Sequence, residues 1–361
     1  MPRGNELKPE HTLLKGLILG DPKAGKTEWV LKAAEAGFNV LYFDGDVAGQ
    51  TIQAVDAKVR DRIFYLDVSD RLSGGLDPRM VTLCAAFFTE STFMWNDTKG
   101  ELYSRVKDAH DETSGAALDE IWEIRPARLD HNWVFAMDSW TTLSYSAMVD
   151  KANQEGISLA DIEKAERNLY QGTGNRLTNM LSTIQKMQCH VAVIGHPAQY
   201  EKRKNPAGSS VRSTKETDQI IEWTKMVPTS SSNPHGLKMG KFFSDIGWID
   251  VDKFGKRVMT FDITSERVSG GHMVGKGDPR GDYNFAGVIK AIGGETPGPA
   301  GAPWGDGLII HPPGTYIPAA KKVVNPLGAK PATAATPASE PKAAVPTAVK
   351  GLGGLAGLNR K

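Results

Sequence analysis

Cysteine is scarce in this sequence, and long apolar runs are missing. The 361 residues include only two cysteines, Cys84 and Cys189, which stand far apart and form no C-x-x-C pair. That spacing argues against a structural zinc site and favours reduced thiols. Residues 1–6 lack the apolar core of a signal peptide, and no apolar run is long enough to span a bilayer. We therefore expect a cytoplasmic protein.

A large excess of charge of one sign is also missing. The formal net charge is +1, with 43 Lys and Arg residues against 42 Asp and Glu residues. A chain with that balance has no global attraction for polyanions, so a nucleic-acid surface would have to be a local patch. With 40% hydrophobic residues, the chain is long enough to bury one large α/β core or two smaller ones.

The most specific motif is G-x-x-x-x-G-K-T at residues 20–27. It follows the apolar residues 16–19 and precedes residues 28–36, whose composition favours a helix, so it has the context of a phosphate-binding loop. Glycines let backbone N–H groups close around phosphate oxygens, Lys26 can reach the β- and γ-phosphates, and the Thr27 hydroxyl can bind Mg²⁺. The predicted ATP contacts are Gly20, Asp21, Pro22, Lys23, Ala24, Gly25, Lys26, Thr27 and Glu28.

Short apolar runs recur along the chain and predict a mainly parallel sheet. The runs are continuous rather than alternating, as in strands that helices cover on both faces. We expect an α/β fold, doubly wound, with an antiparallel hairpin appended near residues 246–263. The predicted parallel strands after the phosphate loop are residues 40–43, 63–66, 133–137 and 191–195.

Composition divides the chain into three parts. We predict an N-terminal extension at residues 1–12, an ATPase domain at residues 13–290, and a tail rich in Gly, Pro and Ala at residues 291–361. We expect the tail to be disordered, because it cannot bury enough apolar surface to offset its ordering entropy. Residues 70–130 are predicted to be helical, and no chemistry is assigned to them.

Asp138 is the predicted metal ligand. It ends the apolar run at residues 133–138. A strand that delivers a carboxylate to Mg²⁺ beside a phosphate loop is a Walker B element, so we predict that Asp138 and Thr27 hold the metal. The alternative is that Asp138 caps the helix that follows.

The acid that orients the attacking water must come from another strand, because the residue after Asp138 is Ser139. Asp44 and Asp46 end the second predicted strand, which we expect to lie beside the strand of the phosphate loop. Either carboxylate could position a water molecule there.

Together the phosphate loop, the pair Asp44-Gly45-Asp46 and the run ending in Asp138-Ser139 resemble RecA-like ATPases. More narrowly, residues 13–283 look like the RecA-like single-strand annealing ATPases of bacteriophages. In that family the second acid is usually glutamate, so the shorter Asp46 implies slow or weak hydrolysis.

The resemblance implies two further roles. A polar residue after the fifth strand should sense the γ-phosphate, which points to His196 or, as the second candidate, Gln199. A basic residue from a neighbouring subunit should complete each ATP site, which points to Lys276 or Arg280 and to a ring or filament. The alternative for each of these side chains is an ordinary structural or solvated residue.

The predicted nucleic-acid surface follows His196 in the sequence. Aromatic residues such as Tyr200 and Trp223 are interleaved with cations, so bases could stack while cations follow the phosphates of a single strand. A solvated surface insertion with ordinary lysines is the alternative. The predicted DNA contacts, on a mobile loop, are Lys202, Arg203, Lys204, Arg212 and Lys215.

These features predict an ATPase that uses ATP and Mg²⁺ and binds single-stranded DNA, and the resemblance implies that it is DNA-dependent and promotes annealing or recombination in phage DNA metabolism. Two alternatives stay open: a replicative helicase motor, and a nucleotide-gated DNA-binding scaffold with little turnover. The leucines and terminal cations at residues 351–361 could dock on a single-strand-binding protein. The alternative is a solubilising tether with no partner.

Overall fold

An eight-stranded sheet forms the centre of the fold. The computed structural model describes residues 12–46, 48–70, 77–103, 116–158, 167–204, 220–261, 267, 270–271, 283–298 and 300–317. The described strands are β1 (Lys15–Leu19), β2 (Asn39–Asp44), β3 (Ile63–Asp67), β4 (Phe93–Asn96), β5 (Glu101–Leu102), β6 (Ile121–Ile124), β7 (Trp133–Asp138), β8 (His190–Gly195), β9 (Pro197–Lys204), β10 (Ile220–Pro228), β11 (Asp245–Val251), β12 (Arg257–Thr260), β13 (Gly270–Gly271) and β14 (Leu308–His311).

Helices connect the strands and cover the sheet. The described α-helices are α1 (Lys26–Glu35), α2 (Gly49–Gln53), α3 (Ala57–Arg60), α4 (Arg79–Thr89), α5 (Trp140–Glu155), α6 (Arg167–Lys186), α7 (Asn233–Met239) and α8 (Phe285–Ala291). Short 3₁₀ helices span Pro126–Arg128 and Gly240–Phe242. In the part of the chain that the structure describes, no helix combines the length and apolar character needed to cross a membrane.

The strand order of the main sheet is β12-β11-β1-β8-β7-β2-β3, and β13 pairs with β11 off this path. Every pairing from β11 to β3 is parallel, whereas β12 and β13 run antiparallel to β11. The chain therefore has the α/β fold of a P-loop NTPase core, as the sequence predicts, with the β11–β12 hairpin at its edge.

Two apolar layers sandwich the sheet. Every residue of β1 is buried, and its alternate side chains point to opposite faces, as the strand period requires. Leu17 and Leu19 pack with α4, α5 and α6 in one cluster, whereas Ile18 packs with Trp29 of α1 and Phe285 of α8 in the other. Because helices cover both faces of the sheet, the side chains on both faces of these strands are buried, which explains the continuous apolar runs.

The expectation that residues 70–130 are helical is wrong for most of the described part of that segment. Only α4 is an α-helix there, and the rest includes β4, β5 and β6. These strands form a small antiparallel sheet with β14, in the order β14-β6-β4-β5. Phe93 and Trp95 of β4 are buried against the main core, so their aromatic bulk is used by a strand rather than a helix.

Residues 291–317 are also ordered wherever the structure describes them, which corrects the predicted disorder from residue 291 onward. The Arg62 guanidinium donates to the carbonyl oxygens of Ala300 and Ala302, and the Trp133 indole donates to the Trp304 carbonyl at 3.0 Å. Trp304 also packs edge-on against Phe64, at 5.2 Å between ring centroids. The predicted disorder of residues 318–361 lies outside the described residues.

Candidate nucleotide site

The strand order sets which side chains can meet. In a parallel sheet the carboxyl ends of all strands lie at one edge, so the loop after β1 and the acids that end β2 and β7 share that edge. The expectation that β2 lies beside β1 is wrong, because β8 and β7 stand between them. Consequently Asp46, in the turn after β2, contacts His196 after β8, whereas Asp44, the last residue of β2, contacts Tyr65 of β3.

The loop at residues 20–27 has the backbone that its glycines allow. Gly20 and Gly25 have φ of 156° and 100°, values that favour glycine. A Cβ at Gly20 would collide with the carbonyl oxygen of Ile249 in β11, so the loop packs closely against the neighbouring strand. Lys26 Nζ donates to the carbonyls of Gly20 and Asp21, both at 2.8 Å, and burial lowers the pKa of its ammonium.

Thr27 and Asp138 lie together, as the predicted metal site requires. The Thr27 hydroxyl donates to Asp138 Oδ2 at 2.6 Å, and the Tyr42 hydroxyl donates to the same oxygen at 2.5 Å. Burial raises the pKa of Asp138 to about 6, although the two hydroxyl donors oppose that rise. The helix-cap alternative fails, because Ser139 caps α5 by accepting from the Thr142 N–H.

The two acids at the end of β2, Asp44 and Asp46, have different environments. Asp44 is fully buried and accepts from the backbone N–H groups of Asp46 and Ala48 and from the Tyr65 hydroxyl, so its carboxylate holds the turn after β2. Asp46 instead points toward the Thr142 hydroxyl, which donates to its Oδ1. Burial opposes ionisation of Asp46, but hydrogen bonds from His196, Ser139 and Thr142 outweigh it and lower its pKa.

His196, directly after β8, contacts Asp46. Its Nε2 lies 3.3 Å from Asp46 Oδ2, and its backbone N–H donates to the Thr141 hydroxyl at 3.0 Å. The buried Nδ1 has no hydrogen-bond partner among the described residues. Gln199, the second candidate, lies in β9 and donates to Glu201, so the structure brings His196 and not Gln199 to Asp46.

The donor set fits a nucleoside triphosphate with Mg²⁺. Thr27 and Asp138 offer a hydroxyl and a carboxylate oxygen side by side, which are the ligands that Mg²⁺ takes in phosphate-loop proteins. Lys26 at the start of α1 adds a cation to the N–H groups and partial positive charge of the helix N-terminus. These residues can bind the phosphates and the metal, and Asp46 can hold a water molecule near them.

Sequence reasoning missed three site residues. Tyr42 in β2 contacts Asp138, and Arg257 and Tyr283 reach the phosphate loop from β12 and from the segment before α8. None of the three belongs to a local motif. Sheet pairing brings Tyr42 and Arg257 to the site, and the packing of α8 on α1 brings Tyr283 there. Glu28, a predicted nucleotide contact, pairs with Arg257.

The predicted DNA loop is a β-ribbon in its described part. β9 and β10 pair antiparallel, with Lys202 opposite Trp223 and Tyr200 opposite Lys225. Alternation along the strands places these four side chains on one face of the ribbon. Their aromatic rings meet at 5.5 Å between centroids, and the ammonium groups of Lys202 and Lys225 lie 5.9 and 5.8 Å from the Trp223 ring.

Two of the predicted DNA cations form ion pairs within the ribbon. Lys202 pairs with Glu222 at 2.9 Å, and Arg203, which alternates to the other face, pairs with Glu201 at 2.6 Å. The remaining predicted cations, which are the Lys204 side chain, Arg212, Lys215, Lys276 and Arg280, lie outside the described residues.

Comparison with known proteins agrees with this geometry. The model of a protein family described as an AAA domain matches residues 12–271, well over half of the chain. No protein of curated function matches the sequence. The match covers the phosphate loop, Asp46, Asp138, His196 and the ribbon, and it ends before Tyr283.

Proposed function

The chain belongs to the AAA domain family, a family of P-loop ATPase-type domains, and from that premise we propose an ATPase that binds single-stranded DNA and promotes annealing or recombination of phage DNA. The family supports nucleotide binding and ATPase activity. The DNA substrate and the biological role are the proposed part, and they rest on the ribbon that follows His196.

In the proposed reaction the position of each residue sets its role. The Lys26 ammonium and the loop N–H groups bind the phosphates, and Thr27 and Asp138 orient the metal, which would offset the charge that develops on the transferred phosphoryl group. Asp46 accepts a hydrogen bond from the attacking water and holds it in line. His196 contacts the Asp46 carboxylate, and in the proposal it responds to the γ-phosphate through that contact.

One observation carries the proposed coupling to DNA. The ribbon begins one residue after His196, and it is anchored there because the Thr229 N–H donates to the His196 carbonyl at 2.8 Å. A displacement of His196 on hydrolysis would therefore act on both strands of the ribbon. The ribbon face carries aromatic and cationic side chains, of the kinds that in single-strand-binding proteins stack on unpaired bases and follow the phosphates.

A nucleotide-gated scaffold with little turnover is the second candidate. Both oxygens of the short Asp46 side chain already have partners, Thr142 on Oδ1 and His196 on Oδ2. A carboxylate held in this way has less freedom to engage a water molecule, which favours slow hydrolysis. Assembly into a ring or filament, with Lys276 or Arg280 completing a neighbouring site, remains part of the proposal.

The test measures ATP hydrolysis and DNA binding separately. We expect single-stranded oligo-dT to raise the hydrolysis rate of the parent protein and to bind with an affinity that falls as salt rises. Trp223→Ala should weaken oligo-dT binding roughly five- to hundred-fold, the value of about one stacked base. Lys225→Ala should reduce the logarithmic salt slope by about 0.7, one phosphate contact on a single strand.

Lys58→Ala is the matched control for Lys225→Ala. Lys58 is an exposed lysine of α3, just before β3 begins, so it lies at the sheet edge away from the phosphate loop. Lys58→Ala should leave the affinity for oligo-dT and its salt slope unchanged. If the protein hydrolyses ATP but does not bind oligo-dT, the ATPase proposal stands and the proposed DNA substrate is wrong. If it binds nucleotide without measurable hydrolysis, the scaffold is favoured.

A further inference from the structure

Two side chains, Arg257 of the edge strand β12 and Tyr283 from the segment before α8, close over the phosphate loop. The Tyr283 hydroxyl donates to the Gly25 carbonyl, and the Arg257 guanidinium pairs with Glu28, directly after Thr27. A Cβ added to Gly25 would collide with both Tyr283 and Arg257. Neither residue has a role in the phosphate and metal chemistry described above, and Tyr283 lies outside the residues that the family model matches.

The strand order shows which part of a nucleotide these side chains face. Asp138, Asp46 and His196 stand at the ends of β7, β2 and β8, on one side of β1, and in the proposed reaction they lie at the γ-phosphate end of the site. Arg257 comes from β12, on the other side of β1 beyond β11. A phosphate loop binds the β- and γ-phosphates through its Lys and Mg²⁺ through its Thr. With the γ-phosphate end on the β8 side of β1, we expect the nucleoside to leave the loop toward β11 and β12.

Tyr283 and Arg257 have the chemistry that this end of a nucleotide needs. The Tyr283 ring is partly exposed, and the Arg257 guanidinium and the Lys32 ammonium lie 5.8 and 5.7 Å from its centroid. An aromatic face stacks on a base, and a planar guanidinium binds the oxygens of phosphate or ribose. Glu28 holds the guanidinium beside the first turn of α1.

We propose that Tyr283 and Arg257 form the nucleoside subsite of the ATP site, in which the Tyr283 ring stacks on the base and Arg257 binds the ribose and α-phosphate end. The inference rests on the proposed ATP binding. It assigns base contact to a segment, residues 283–291, that stands outside the family match and packs on α1 through α8.

The experiment compares a whole nucleotide with its phosphates alone. Titration calorimetry in the presence of Mg²⁺ would measure the affinity of AMP-PNP and of inorganic tripolyphosphate for the full chain. Tyr283→Leu, which removes the ring but keeps apolar bulk, should weaken AMP-PNP binding roughly five- to hundred-fold. It should leave tripolyphosphate binding within about two-fold, because in the proposed subsite the Tyr283 ring contacts the base and not the phosphates.

Tyr283→Phe separates stacking from the hydrogen bond to Gly25. It keeps the ring and removes the hydroxyl, so both affinities should stay near the parental values. Tyr145→Leu, at an exposed tyrosine of α5, is the matched control, and thermal melting reports whether each variant is folded.

The outcomes distinguish the inference from the proposed function. Equal losses of AMP-PNP and tripolyphosphate affinity in Tyr283→Leu would show that Tyr283 only shapes the loop, and unchanged AMP-PNP affinity would show that it does not contact the base. Either result overturns the subsite while ATP binding stands. A parent protein that binds neither probe would contradict the proposed function itself.

Discussion

The side chains of Asp46 and His196 meet at the carboxyl edge of the sheet, with 3.3 Å between Asp46 Oδ2 and His196 Nε2. They follow β2 and β8, two strands that β7 separates, and they are 150 residues apart in sequence. The contact joins the acid after β2 to the residue directly before the ribbon. It therefore links the chemistry of the site to its proposed DNA surface through one hydrogen bond.

Asp46→Asn should leave nucleotide binding nearly unchanged and slow hydrolysis by about 10²-fold or more. A water-orienting acid acts mainly in the transition state, and general-base catalysis contributes on that scale. Single-turnover hydrolysis and calorimetric binding of AMP-PNP would measure the two effects on the same variant.

Asp44→Asn is the control for that variant. Because the Asp44 carboxylate accepts three hydrogen bonds while fully buried, its replacement should lower the melting temperature as well as activity. Parental hydrolysis in a folded Asp46→Asn protein would remove Asp46 from the reaction.

Asp138→Asn should weaken Mg²⁺-dependent nucleotide binding and change how stability depends on pH. Burial raises the pKa of Asp138 from 3.8 to about 6, so the folded protein holds a proton there that the unfolded chain releases near pH 4. Stability from this group is therefore present at low pH and is lost as pH rises toward and through 6. Asparagine has no such loss.

Without metal, the melting temperature of the parent should therefore fall relative to that of Asp138→Asn as pH rises from about 4 to about 7. Above that range the difference between the two melting temperatures should stay constant. Differential scanning fluorimetry in EDTA across this pH range would measure the difference. A constant difference at all pH values would contradict the assignment of the raised pKa to Asp138. Retained Mg²⁺-dependent affinity would remove Asp138 from the metal site.

Lys26→Met and Lys15→Met should have opposite consequences. Both lysines are buried in or next to β1, but Lys26 lies in the phosphate loop, whereas Lys15 Nζ donates to the carbonyls of Met187 and Cys189 at the other end of the strand. Lys26→Met should abolish measurable turnover and lower the melting temperature less than Lys15→Met, because the Lys26 ammonium donates beside the exposed residues 21–23, where water can replace it. Lys15→Met should lower the melting temperature, because two buried carbonyls lose their donor, and keep nucleotide affinity.

Calorimetry and thermal melting on the two variants would make the comparison. Hydrolysis at the parental rate by a folded Lys26→Met protein would contradict the account of the phosphate loop. Loss of nucleotide affinity in folded Lys15→Met would show that the two ends of β1 are coupled.

Local motifs predicted the α/β core and the pairing of Thr27 with Asp138, because a phosphate loop and a Walker B strand carry their chemistry within a few consecutive residues. They could not predict strand order, so the sequence placed β2 beside β1. Arg257 and Tyr283 were missed for the same reason: only the pairing of β12 with β11 and the packing of α8 on α1 bring them to Gly25 and Glu28.

Average composition misled the prediction for residues 291–317. Gly and Pro are frequent there, but Trp304 packs on Phe64 and β14 pairs with β6, and neither partner is close in sequence. A few well-placed contacts outweigh a composition that on average favours disorder. These contacts explain why the ordered part of the chain extends beyond residue 291.

The position of that boundary gives the last prediction. A chain ending at residue 317 should keep the parental melting temperature and hydrolysis rate, because it retains β14 and every acceptor of Arg62 in the described part of the segment. A chain ending at Gly293 should melt at a lower temperature or fail to fold. This truncation removes the Trp304 carbonyl that accepts from the Trp133 indole, and it removes β14, the strand that pairs with β6.

Thermal melting and steady-state hydrolysis on both truncated chains would test the boundary, with binding to a cognate single-strand-binding protein as a third readout. We expect the chain ending at residue 317 to lose that binding, since it lacks the leucines and cations of residues 351–361. Unchanged binding would exclude the docking role of the C-terminal residues. A chain ending at Gly293 that melts like the parent would show that β14 and Trp304 add nothing to stability.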